Sequence, residues 1–256
     1  MALRIGIAGI TGRMGRLLAE EVPAAGAVLA GGTSRSGAAP APPGVPVTDL
    51  ARLAAAAEVV IDFTHAAAVQ GHAATLAAAG TAWVLGTSGL SAADEAAVAV
   101  AARAIPVVYA ANFSAGVNLV LALAERMAAA LPAETYDAEI VEMHHRQKVD
   151  APSGTAIGLG RAVARGRGVA LEAVMESGRD GHTGPRKPGA IGFAALRGGQ
   201  VVGEHTLIFA AVAEHIALTH RAFDRRTFAT GAVRAALWAA GRPPGLYSMM
   251  DVLGMG

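Results

Sequence analysis

The densest run of chemically capable side chains in this 256-residue sequence is Glu142-Met-His144-His145-Arg146-Gln147-Lys148-Val-Asp150, followed by Ala-Pro152-Ser153-Gly154-Thr155. Six ionisable groups fall within nine positions, between a stretch that reads as a strand and one that reads as a helix. Such a concentration at the edge of a core is costly unless the charges meet a charged ligand. A histidine can supply a proton near neutral pH. Lys148 adds a cation, and Gly154 and Thr155 open a helix whose free N–H groups can hold a carboxylate. The set suits an anionic small molecule that gains a hydride and a proton. A solvated basic loop ahead of a capped helix is the plainer alternative. A metal site is disfavoured, because adjacent strand residues point to opposite faces and His144 and His145 would not chelate one ion. The helical HExxH and HxxEH patterns are absent as well, so no metal is expected. His205, His215 and His220 lie in strand-like runs and read as structural or surface residues.

A second chemical signal opens the chain. Gly6-Ile-Ala-Gly9-Ile10-Thr11-Gly12-Arg13-Met14-Gly15 follows the first apolar run and starts the first helical one. Glycines there let the backbone turn tightly against a pyrophosphate, and the helix N-terminus offers N–H groups to it. Thr11 stands where the common pattern has its middle glycine. A strand-end acid would mark NAD, but the second strand ends Gly32-Thr33-Ser34-Arg35, and no acid occurs between Glu21 and Asp49. Arg35 can pair with a 2′-phosphate, which points to NADP(H). Three further strand ends are polar or glycine-rich: Asp62-Phe63-Thr64, Gly86-Thr87-Ser88-Gly89 and Ala111-Asn112-Phe113-Ser114. In an open α/β sheet, ligands lie across such carboxyl ends.

The elements that must position these residues follow from pattern. Strands are expected at Leu3–Ala8, Ala27–Thr33, Glu58–Asp62, Ala82–Gly86 and Pro106–Ala110. Helices are expected at Gly12–Val22, Asp49–Ala57, Ala66–Ala79 and from Ser91 to about Arg103, with Ser91 as cap and Asp94 as its acidic partner. Ser36–Pro46 reads as a loop. Strict alternation argues for a doubly wound parallel sheet with helices on both faces. After a long helix at Leu119–Leu131 the pattern changes. Strand-like runs at Tyr136–His144, Ile191–Leu196, Gln200–Ala211 and Glu214–Arg221 surround one clear helix, Gly154–Arg165. They suggest a smaller α+β domain with an open mixed sheet. Arg225–Ala240 returns to helix. Arg165–Arg186 reads as a long loop, and Gly245–Gly256 as irregular.

Composition excludes several classes. Hydrophobic residues make up 53%, but 62 are alanine and only 4% of the chain is aromatic, which favours helices and tight packing. Lys plus Arg is 21 against 20 Asp plus Glu, so electrostatic binding to nucleic acid or an acidic membrane is not expected. The absence of cysteine excludes disulfides, thiolate metal sites and a cysteine nucleophile. Apolar stretches are broken by glycine, proline or polar residues, so a soluble cytoplasmic protein is expected.

The run Glu142–Ala156 (EMHHRQKVDAPSGTA) resembles the dihydrodipicolinate reductase family, also described as 4-hydroxy-tetrahydrodipicolinate reductases, of lysine and diaminopimelate biosynthesis. Gly9–Gly15, Asp62–Thr64, Gly86–Gly89, Ala110–Ser114, Gly203–Thr206 and Gly245–Gly254 support the resemblance, which covers nearly the whole chain. It implies a Rossmann-like nucleotide domain at 1–113 and 224–256, and a substrate and oligomerisation domain at 114–223. It implies NAD(P)H-dependent reduction of a cyclic dicarboxylate and a homotetramer joined through the second sheet. His144 takes the family's proton-donor position and Lys148 that of a second donor or orienting cation. His145, Gly154 and Thr155 match substrate-carboxylate contacts. The cofactor lining matches Gly9, Ile10, Thr11, Gly12, Arg13, Met14, Gly86, Thr87, Ser88, Ala110, Ala111, Asn112 and Phe113, with Phe228 near the cofactor at the hinge. Ser34 stands where the family often has an acid; with Arg35 beside it, NADPH is favoured, NADH being the alternative donor. Two competing readings are a dinucleotide-binding sensor without turnover and another two-domain NADP-dependent reductase. The intact His/Lys motif disfavours the first, and the His-His pair the second.

Overall fold

Short runs of β-branched residues alternate with alanine-rich helices, and this alternation decides the first half of the molecule. The computed structural model describes residues 1–35 and 40–255. Of the expected loop, residues 36–39 lie outside the described set. The chain forms two compact units, Met1–Ala115 with Arg226–Gly256, and Gly116–Arg225.

In the first unit, β1 (Arg4–Ala8), β2 (Val28–Gly32), β3 (Val59–Asp62), β4 (Ala82–Leu85) and β5 (Pro106–Tyr109) alternate with helices. These are α1 (Arg13–Ala24), α2 (Leu50–Ala56), α3 (Val69–Ala79), entered through a 3₁₀ turn at Ala66–Ala68, and α4 (Ala92–Ala101). Alternate side chains on each strand face opposite sides. Ile5, Ile7, Ile61 and Val84 join Leu18 and Val22 of α1 in one core cluster. Val60, Trp83, Leu85 and Val107 join Leu53, Leu76 and Val98 in another. Each large aliphatic side chain so buried contributes about 1.5–3 kcal/mol. The expected capping box closes α4: Ser91 Oγ accepts from Asp94 N, and Asp94 Oδ2 accepts from Ser91 N at 2.9 Å.

The second unit begins with α5 (Ala115–Ala130), which starts four residues before the apolar run that announced it, because Ala115-Gly-Val-Asn carries little periodic signal. Then come β6 (Asp137–His144), α6 (Gly154–Gly166), α7 (Leu171–Val174), β7 (Met175–Ser177), β8 (Ile191–Arg197), β9 (Gly203–Ala210) and β10 (His215–Ala222). The sheet order is β10-β9-β6-β8-β7. β7–β8 and β8–β6 are parallel, and β6–β9 and β9–β10 antiparallel, giving the expected mixed sheet. Ile140, Phe193, Leu207 and Phe209 face Ala156, Leu159 and Val163 of α6. The region read as a long loop therefore contains α7 and β7; Leu171 anchors the helix, and a three-residue strand shows no period.

The chain returns to the first unit as α8 (Arg226–Ala239), β11 (Gly245–Tyr247) and α9 (Met249–Val252). The tail read as irregular thus adds a parallel edge strand beside β5 and a helix with its own capping box, Ser248 with Asp251. The first sheet is parallel throughout, in the order β11-β5-β4-β3-β1-β2. Helix α8 approaches the end of β5 through Gly231, where a Cβ would meet Phe113 O at 1.8 Å.

Candidate active site

In the first unit all the candidate cofactor residues from Gly9 to Phe113 follow the carboxyl ends of parallel strands. Gly9 adopts φ +76°, open to glycine at little cost, and its N–H donates to Thr33 Oγ1 at 3.1 Å. A Cβ at Gly15 would lie 2.2 Å from Gly9 O, so only glycine lets α1 start this close to the turn. Gly12 caps α1 with no side-chain hydrogen bond, which leaves helix N–H groups for a ligand. Thr11 Oγ1 and Ser34 Oγ lie 2.9 Å apart, tying the glycine turn to the end of β2. Arg13 and Arg35 are exposed, and Arg16 donates to Pro40 O at 2.8 Å. Ile10 is buried, and Met14 packs against the core.

The other strand ends are braced. Asp62 is fully buried and accepts from Thr64 N at 2.9 Å and Thr64 Oγ1 at 2.7 Å, and it pairs with His72 Nδ1 at 2.7 Å. Phe63 occupies the space a Cβ of Gly86 would need and meets Phe113 edge-on at 5.5 Å. Thr87 is buried and Ser88 exposed, while Asn112 Oδ1 accepts from Ser114 N at 2.8 Å. Ala110 and Ala111 link β5 to that turn, and Phe228 lies half-buried in the first turn of α8.

In the second unit, Glu142 and His144 share the inner face of β6, two residues apart. His144 Nδ1 lies 2.6 Å from Glu142 Oε2. Arg197, at the end of β8, donates to both oxygens of Glu142 at 2.8 and 2.9 Å, and Ser153 N donates to Oε1 at 3.1 Å. Ser153 also caps α6, with its Oγ 3.0 Å from His205 Nε2. The His205 ring meets His144 edge-on at 5.0 Å. Between β6 and α6, Lys148 Nζ pairs with Asp150 at 2.8 Å. His145 lies just past β6, with Nδ1 buried and without a hydrogen-bond partner among the described residues. Gly154 and Thr155 open α6. Burial alone would raise the Glu142 carboxyl, but hydrogen bonds from Arg197 and His144 hold it below the usual glutamate value. Burial pushes His144 down despite the upward pull of Glu142.

Glu142, Arg197 and His205 were not singled out for a role from the sequence. His205 is 4% exposed, so it is no surface residue; it belongs to the inner row with His144. The i, i+2 spacing of Glu142 and His144 on a strand was the legible signal, whereas Arg197 is paired with them only by strand register.

Burial pushes the His205 imidazole down to about 4. A histidine depressed in the folded state is protonated first in the unfolded chain, so stability is full above the ordinary value of 6.5 and falls as pH drops toward 4. The loss amounts to about 3 kcal/mol. His144 and His220 are shifted in the same direction. Urea unfolding at about pH 7 and about pH 5 should show this decline, and His205→Gln should flatten it; equal declines in both proteins would contradict the assignment.

Family models add the deciding comparison. The model described as dihydrodipicolinate reductase, N-terminus, matches residues 3–113, and that described as dihydrodipicolinate reductase, C-terminus, matches 116–253. The chain belongs to the dihydrodipicolinate reductase family. Curated relatives named 4-hydroxy-tetrahydrodipicolinate reductase include a protein of Granulibacter bethesdensis, 72% identical over 99% of this chain and 98% of the relative. Another, from Acidiphilium cryptum, is 67% identical over 99% of this chain and 98% of the relative. Among solved structures, the dipicolinate-bound dihydrodipicolinate reductase of Paenisporosarcina sp. TG-14 superposes with TM-score 0.80 at 24% identity, covering 98% of this chain and 99% of that one. The resemblance drawn from the His/Lys motif is therefore borne out, as are the oxidoreductase class and the Rossmann-like architecture. No described helix is long and apolar enough to cross a membrane.

Proposed function

We propose that this dihydrodipicolinate reductase family member reduces 4-hydroxy-tetrahydrodipicolinate to tetrahydrodipicolinate in lysine and diaminopimelate biosynthesis, with NADPH as preferred donor, in the cytoplasm. The overall balance is substrate plus NADPH and one proton, giving tetrahydrodipicolinate, NADP⁺ and water. The observation that carries the reading is the inner-face cluster of His144 and its partners beside the N-terminus of α6, within a chain matched by the family models end to end.

The first unit fits a dinucleotide. Its glycine turn has no room for a Cβ at Gly15, and α1 keeps uncapped N–H groups. Gly9–Met14 would cradle the pyrophosphate, Ser34 and Arg35 would meet the adenosine ribose, and Gly86–Ser88, Ala110–Phe113 and Phe228 would line the nicotinamide side. When bound, NADPH supplies the hydride. In the second unit, His145, Gly154 and Thr155 hold substrate carboxylates. His144 delivers the proton from Nε2, and Lys148, tethered by Asp150, orients the ring or delivers a second proton. The test is NADPH oxidation on adding the product freshly made by the preceding synthase. Oxidation in step with substrate supports the reading, and none would overturn it.

The second unit also serves as the assembly surface. Val141, Met143, Thr206, Ile208 and Leu196 lie on the sheet face opposite the α6 core, half-buried or exposed. A sheet face that leaves Val141, Met143, Leu196 and Ile208 half-buried or exposed calls for a partner, and a second copy supplies one. Light scattering should give a homotetramer; a monomer at micromolar concentration would contradict this assembly.

A further inference from the structure

Glu142 has no part in the hydride and proton transfer proposed above, yet its environment is fully built. The side chain is 1% exposed, and its oxygens meet four partners: His144 Nδ1, both terminal nitrogens of Arg197 and Ser153 N. A carboxylate has about four acceptor sites and no hydrogen to give. The hydrogen in its 2.6 Å contact with His144 must therefore sit on Nδ1. Among the described residues no hydrogen bond falls on His144 Nε2. A Cβ at residue 203 would stand 3.0 Å from that nitrogen, so Gly203 keeps its face open. Arg197 Nη2 donates at 2.6 Å to Asp150 O, in the loop that carries Lys148.

We propose that Glu142, clamped by Arg197, is the positioning residue for His144: it fixes one hydrogen on Nδ1, leaves Nε2 as the exchangeable site, and through Arg197 ties the Lys148 loop to the same carboxylate. The proposal rests on the role given to His144 above. The groups facing His144 are Glu142 on β6, Arg197 on β8, His205 on β9 with His220 beyond it on β10, Lys148 and Asp150 in the loop, and Ser153 at the start of α6. The Glu142–Arg197 pair is formally neutral, so it orients the imidazole without forcing a permanent positive charge. With Glu142 neutralised, Arg197 and Lys148 both oppose protonation of His144, and the alkaline limb of turnover, which a proton donor sets, moves to lower pH.

The experiment compares wild type with Glu142→Gln by ¹⁵N imidazole spectra, kcat and KM across pH, and NADPH titration. Wild type should show the Nδ1–H form. Glu142→Gln should lose that preference, drop kcat about 10–100-fold as for other orienting partners, shift the alkaline limb downward and leave NADPH affinity unchanged. Should Glu142→Gln fold poorly with Arg197 unpaired, the double variant Glu142→Gln, Arg197→Met removes both charges, and the same loss of the Nδ1–H form is expected. A wild-type Nε2–H form, or a folded variant with wild-type kcat and pH limb, would overturn the proposal. The spectra need no turnover, so they judge it even if the reductase reading fails.

Discussion

His144→Gln is expected to lower kcat by about 10²–10⁴-fold, the range that a positioned acid–base group supplies. Glutamine is polar enough to stay bonded to Glu142 at the end of β6, so the buried carboxylate keeps partners in Arg197 and Ser153. What it lacks is a nitrogen that exchanges a proton near neutral pH. His145, Gly154 and Thr155 are untouched, so KM should change little. The pattern of a kcat loss without a KM loss identifies an interaction made only in the transition state. Steady-state kinetics on protein with wild-type circular dichroism decides it, and unchanged turnover would sink the assignment.

The second large effect is on cofactor choice. The ribose of a dinucleotide sits beside the end of β2 in this fold, where this chain has Ser34 and Arg35 and no acid. Arg35 is exposed and forms no ion pair among the described residues, so its charge is available to a 2′-phosphate. A charge-assisted hydrogen bond contributes about 1.5–3 kcal/mol, or roughly tenfold to a hundredfold in affinity. NADPH should bind more tightly than NADH by that factor. The double change Ser34→Glu, Arg35→Ala places a carboxylate where it repels the phosphate and can bond the ribose hydroxyls. It should erase or reverse the preference without altering kcat at saturating cofactor. Titration of both cofactors against both proteins is the measurement. Equal or tighter NADH binding by wild type would show that the ribose contacts other residues.

The architecture was legible because its signals are local and repeated. Strands such as Val59–Asp62 open on a continuous apolar run, helices such as Ala92–Ala101 carry a readable cap, and the glycine turn sits at the first strand–helix junction. The elements that escaped are those fixed by neighbours. β7 and β11 have three residues each, too few to show a period, and exist because β8 and β5 offer them an edge. The His144–Lys148 motif was visible as a charge cluster, but its closure was not. Arg197 reaches Glu142 across 55 positions of sequence, and only the parallel register of β6 and β8 aligns them. His205 looked ordinary for the same reason, since its pairing opposite Glu142 depends on β9 running antiparallel to β6.

The first unit is discontinuous in sequence, and this sets an order of events during synthesis. Residues 116–225 form a contiguous unit that can complete its own sheet as soon as they have emerged. The flanking unit cannot. Ala229, Ala232, Val233 and Ala236 of α8 belong to the same core cluster as Ile5, Ile7 and Ile61, and β11 closes an edge of the same sheet. With domains folding as the chain emerges at about 5–20 residues per second, the nucleotide-binding unit cannot complete the sheet face that α1 covers in part until α8 has been made. The His144–Lys148 motif thus lies wholly in the contiguous unit, whereas the core behind the glycine turn draws on both segments of the discontinuous one.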